Sequence, residues 1–66
     1  MSEFEKEMIL AFAECDMNIS ELARRLMYHR NTINWHLDRI YEKTNLNPRK
    51  FYDLITLLKE VQSNEN

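Results

Sequence analysis

Sixty-six residues suffice for one domain and no second, and a core of that size stabilises weakly unless it is well packed or shared with a partner subunit. Glycine is absent, proline occurs once, and hydrophobic and charged residues make up 44% and 30% of the chain. That balance excludes a disordered chain, and the missing glycine disfavours the tight turns of hairpins and sheets.

The apolar runs are far too short for a membrane span, and Met1-Ser2-Glu3 lacks the basic start of a signal peptide, so a soluble cytoplasmic protein is expected. Cys15, the single cysteine, has no internal disulfide partner, which suits a reducing compartment. The formal net charge of −2 hides a separation. Residues 1–22 hold six acids against Lys6, net −5; residues 23–50 hold seven bases against Asp38 and Glu42, net +5; residues 51–66 carry net −2. A basic middle between acidic ends is expected where one face meets phosphate, although a solvated surface can cluster charge by accident.

The first predicted helix runs from Glu3 to Cys15, with Phe4, Met8, Ala11, Phe12 and Cys15 recurring at three- and four-residue steps. Asp16-Met17-Asn18 breaks the pattern, and Asn18 is a good N-cap for a short second helix from Ile19 to Leu26. Its apolar side is Ile19, Leu22, Ala23 and Leu26. After Met27-Tyr28-His29 a third helix runs from Arg30 to about Thr44, burying Ile33, Leu37, Ile40 and part of Tyr41. Asn45 is an acceptable left-handed residue after it, with Leu46 folding back as the hydrophobic contact. Asn47-Pro48 reads as an N-cap followed by proline at the first position of a fourth helix, which is expected to bury Phe51, Leu54, Ile55, Leu58 and Val61. The expected class is all-α: a four-helix domain over residues 1–62, a tri-helical core plus a C-terminal helix, with a disordered polar tail at 63–66.

Two helices separated by three residues, the first short and containing an alanine, form the skeleton of a helix-turn-helix. The alanine has a steric reason: the helices cross steeply, and a larger side chain at Ala23 would hold them apart. Leu22, Leu26, Ile33 and Leu37 then close the wedge. The second helix of such a pair projects its first turn into the major groove of DNA.

At Asn18-Ile19-Ser20-Glu21-Leu22-Ala23-Arg24-Arg25-Leu26, Tyr28-His29-Arg30-Asn31-Thr32-Ile33, Leu37, Arg39 and Ile40, the sequence resembles the C-terminal DNA-binding domain of PucR-type regulators, which include purine-catabolism and sugar-diacid activators. The similarity continues through Thr44-Asn45-Leu46-Asn47-Pro48 and Phe51-Tyr52-Asp53-Leu54, covering roughly residues 8–60. More distantly, the segment resembles the DNA-binding end of the factor for inversion stimulation. The resemblance implies a sequence-specific double-stranded-DNA-binding transcription regulator with its recognition helix at residues 30–44. The chain departs from the family at Met27, a turn position often occupied by glycine; at Asn45, where glycine is usual; and at Asn34, His36 and Asp38, in a helix tending to arginine. Fewer phosphate contacts lower affinity and flatten its salt dependence.

The candidate DNA-binding residues are His29, Arg30, Asn31, Thr32, Asn34, Trp35, Arg24, Arg25 and Arg39. Arg30 suits a guanine edge or a phosphate; Asn31 and Asn34 suit adenine or phosphate; Thr32 suits phosphate; and His29 suits a helix cap that also donates to DNA. The plainer roles are a surface arginine, asparagines near a helix start and a small packing residue. Arg24, Arg25, Arg39, Lys43, Arg49 and Lys50 suit backbone phosphates, though not all can face DNA together. At about 100° per residue, Trp35 lies nearly opposite Ile33, Leu37 and Ile40. An exposed tryptophan there needs a partner: a sugar, a thymine methyl, a second subunit or another protein; folding onto a neighbour is the bland account.

No histidine has a second ligand at metal spacing, and neither a nucleophile constellation nor a glycine-rich phosphate loop is present, so no metal, cofactor, small-molecule substrate or catalysis is expected. A homodimer paired through helices one and four is expected, with Met8, Ile9, Leu10, Leu57 and Val61 as candidate contacts and half-sites about 10–10.5 bp apart or a multiple of that. A second reading is a protein-interaction module on the same scaffold, with Trp35 as its anchor. A third is a fragment of a longer regulator whose sensor lies elsewhere.

Overall fold

A computed structural model of the protein describes residues 1–63, which form four helices: α1 (Glu3–Glu14), α2 (Ile19–Leu26), α3 (Arg30–Thr44) and α4 (Phe51–Ser63). Residues 64–66 of the expected tail lie outside the described residues, and Ser63 is the last residue of α4 rather than part of the tail. No helix among the described residues is long and apolar enough to cross a membrane.

Helix α1 starts on a capping box. The Ser2 hydroxyl accepts from the Glu5 amide at 3.1 Å, and the Glu5 carboxylate accepts from the Ser2 amide at 2.8 Å. The same carboxylate accepts two bonds from the Lys43 ammonium, at 2.9 and 3.0 Å, which ties the start of α1 to the last turn of α3. Burial pushes the Glu5 carboxyl up, but the Ser2 amide and Lys43 outweigh it and hold the group below its usual 4.5. The helix ends one residue before the expected Cys15, which serves as its C-cap and is half-buried. Asp16 and Met17 then take positive φ, 56° and 62°, to turn the chain toward Asn18. The Asn18 side chain caps α2 by accepting from the Glu21 amide at 3.0 Å.

The core lies where α1 packs on α2 and α4, and α2 on α3. Met8, Ile9, Phe12, Leu22, Ile33, Leu37, Ile40 and Leu57 are all but fully buried, and Ala23 of α2 is buried with them. This corrects the expected dimer surface. Of its five residues, Met8, Ile9, Leu57 and Val61 are buried within the single chain, because α4 crosses α1 and each covers the other. Leu10 alone is exposed.

Two expectations for α4 also fail. Asn47 caps a tight turn instead of the helix itself: its side chain accepts from the Arg49 amide at 3.0 Å, and its carbonyl accepts from the Lys50 amide at 2.9 Å, three residues on. The helix therefore begins at Phe51, three residues after Pro48, and the Asp53 carboxylate reaches back to the Asn47 amide at 3.0 Å. Within α4 the buried line is Leu54, Leu57 and Val61, with Ile55 and Leu58 half-buried, whereas Phe51 is 61% exposed. Phe51 lies where α4 meets the turn after α1, and with Ala13, Asp16, Met17, Leu54, Ile55 and Leu58 it lines an open apolar groove of about 220 Å³.

Candidate nucleic-acid interface

The connection between α2 and α3 decides what the tip of α3 presents. Helix α2 ends at Leu26, and Met27 follows in the left-handed conformation, φ 61° and ψ 41°, with its side chain 89% exposed. A residue other than glycine is disfavoured there by its Cβ, so the turn carries a small strain. The next amide, of Tyr28, donates to the Ala23 carbonyl at 2.9 Å, which closes the end of α2. His29 is extended and caps α3: its Nδ1 accepts from the Asn31 amide at 3.1 Å. An accepting Nδ1 requires a ring protonated only at Nε2, which leaves that N–H as a donor.

Beyond the cap, His29, Arg30 and Asn31 are exposed and Thr32 is half-buried. The first turn of α3 contains no acidic residue, and its positive dipole end favours an anion. Among the described residues the Arg30 guanidinium bonds only the Ser20 hydroxyl, at 3.5 Å. Asn34 is engaged on both sides of its amide: Nδ2 donates to the Arg30 carbonyl at 3.2 Å, and Oδ1 accepts from Arg49 at 2.8 Å. Trp35 is 56% exposed, with the Arg39 guanidinium 5.2 Å from its ring centroid.

The remaining bases divide by partner. Arg24 pairs with Glu21 and Arg25 with Glu14, each at 2.6 Å. Both pairs are solvent-exposed, so each is held by less than about 1 kcal/mol and can yield to a phosphate. Arg49 bonds Asp38 at 2.9 Å, and Lys43 is taken by Glu5. Thus His29, Arg30 and Asn31 are exposed at the start of α3, Trp35 is exposed one turn beyond Asn31, Thr32 is half-buried, and Asn34 is turned to an internal task. Three arrangements escaped sequence reasoning. The Ser2-to-Glu5 spacing was a legible capping-box signal, whereas no spacing pointed from Lys43 to Glu5 or from Arg49 to Asp38. Among the described residues no group of three histidine, cysteine or carboxylate side chains could hold a metal.

The geometry is that of a helix-turn-helix, and a family model described as the PucR C-terminal helix-turn-helix domain matches residues 6–59. The chain belongs to that family. No curated protein and no solved structure matches it. In this PucR-type domain Leu22, Ala23, Ile33 and Leu37 are buried in the core, and α3 carries a single arginine, Arg39, beyond its first residue.

Proposed function

We propose that this PucR-type domain is a sequence-specific double-stranded-DNA-binding transcription regulator, acting in the cytoplasm without catalysis. The observation that carries the reading is the exposed, carboxylate-free first turn of α3, with Arg30 outside any ion pair among the described residues. Arg30 bonds a guanine edge or a phosphate, Asn31 reads adenine, and Thr32 and the His29 Nε2–H meet phosphate. Arg24, Arg25 and Arg39 follow the backbone on either side, the first two by exchanging surface carboxylates for phosphates. Asn34 acts mainly through the Arg30 carbonyl that it holds.

One module covers little DNA, so we also propose a homodimer. Pairing through α1 and α4 has Leu10 and the exposed Phe51 available, not the buried residues expected from sequence. The proposal is tested by mobility shift against a random duplex library at low salt, with the bound fraction sequenced. Selection of a common motif by the protein and its loss with Arg30→Ala are expected; no shifted duplex at low salt would end the reading.

A protein-interaction module is the second reading. It is favoured by one observation: Asp38 and Glu42 lie exposed on the same helix as Trp35. In that case Trp35→Ala abolishes association with a protein, and Arg30→Ala changes nothing.

A further inference from the structure

The exposed face of α3 carries an apolar surface that the polar roles above leave unused. Trp35 is the chain's only tryptophan and stands one helical turn beyond Asn31. At about 100° per residue the two lie within roughly 40° of each other on that face. The indole is braced. His36 packs edge-on against it with centroids 5.0 Å apart, Phe4 packs on His36 at 4.9 Å, and Tyr28 packs on Phe4 at 5.6 Å. This aromatic chain runs back to α1 and to the turn before α3, while Arg39 engages the ring from the following helical turn. A side chain already held in place loses little freedom when it meets a ligand.

Resting on the DNA-binding reading, we propose that Trp35 determines specificity by packing on the 5-methyl group of a thymine, close to the adenine read by Asn31. In the major groove thymine alone presents a methyl; the other edges present donors and acceptors. The face of an indole pressed against those would strip them of water and return no bond, its one donor being the Nε1–H at the ring edge. Arg39, drawn to the ring, supplies positive charge for a neighbouring phosphate. The carboxylate that would most oppose this approach, Asp38, is already held by Arg49 at 2.9 Å.

The test replaces each thymine of the selected duplex in turn with deoxyuridine, which removes only the methyl. For the unaltered protein, binding should weaken about fourfold at one or two positions, the effect of exposing one buried methyl group. Trp35→Ala should bind thymine and uracil duplexes alike, and Trp35→Phe, which keeps an apolar ring, should retain part of the difference. Circular dichroism of both variants should match the unaltered protein, since the side chain is 56% exposed. A scan that is flat for the unaltered protein, or a uracil penalty that survives Trp35→Ala, overturns the inference while leaving DNA binding intact. Loss of association with a protein by Trp35→Ala, with its uracil penalty unchanged, would likewise overturn it and assign the ring to that partner. Failure to bind any duplex at low salt removes the DNA-binding reading and this inference together.

Discussion

The two halves of the exposed face of α3 differ in what their charges already hold. At the start, Arg30 has one long bond to a hydroxyl and no carboxylate beside it. In the second half, Asp38 is bonded by Arg49 from the connection to α4, and Lys43 reaches the buried Glu5 of α1. Similar residue types therefore do different work: Arg30, and Arg39 beside Trp35, leave charge for a ligand, whereas the Arg49–Asp38 and Lys43–Glu5 pairs join elements. Charge is available to DNA where an internal partner is missing or is held only at the exposed surface, and the net charge of a segment does not reveal which case applies.

The sharpest way to break this contrast is Arg30→Ala. It should weaken duplex binding about tenfold or more, in line with loss of about 1–3 kcal/mol for an arginine at a base edge, and leave the thermal midpoint unchanged. Lys43→Ala should do the opposite. By leaving Glu5 buried without its cation it should cost about 1–2 kcal/mol of stability in a denaturant titration, limited by the half-exposure of Lys43, with duplex affinity kept.

The same pair has a pH signature. The Glu5 carboxyl titrates below its usual 4.5 in the folded protein, so its contribution is full above that value and is lost as pH falls through the folded-state value. Acid unfolding should accordingly show a shallower loss in Lys43→Ala. Met27→Gly is expected to raise stability by up to about 1 kcal/mol, relieving the left-handed turn, with no change in affinity. Asp38→Asn should have the smallest effect: it removes the carboxylate that neutralises Arg49, which stays bonded to Asn34, raises affinity less than about fivefold and steepens its salt dependence slightly.

The helix-turn-helix itself was legible because its signals are local. Asn18 caps α2 by its own side chain, Ala23 is small where two helices meet, and the three-residue break at Met27-Tyr28-His29 falls between two apolar stripes. Trp35 was legible for the same reason, since one helical angle separates it from Ile33 and Leu37. The start of α4 was not. Asn47 and Pro48 suit a helix and a tight turn equally, and the choice was made by a carbonyl bonding three residues ahead instead of four. The dimer surface misread from sequence has a tertiary cause. Met8 and Ile9 on α1 and Leu57 and Val61 on α4 are surplus apolar surface on separate helices, but they become one core when α4 crosses α1. Within the candidate site, Asn34 had the composition of a base reader, and its contacts with the Arg30 carbonyl and with Arg49, 15 residues away, gave it an internal role.

Titration of the isotope-labelled protein with a short duplex at low salt, followed by amide chemical shifts, tests the central claim most directly. The largest changes should fall on residues 28–35, with any at the Leu10 and Phe51 surface smaller and secondary to pairing. Changes gathered around Ala13, Met17 and Phe51, or no changes anywhere, would contradict it.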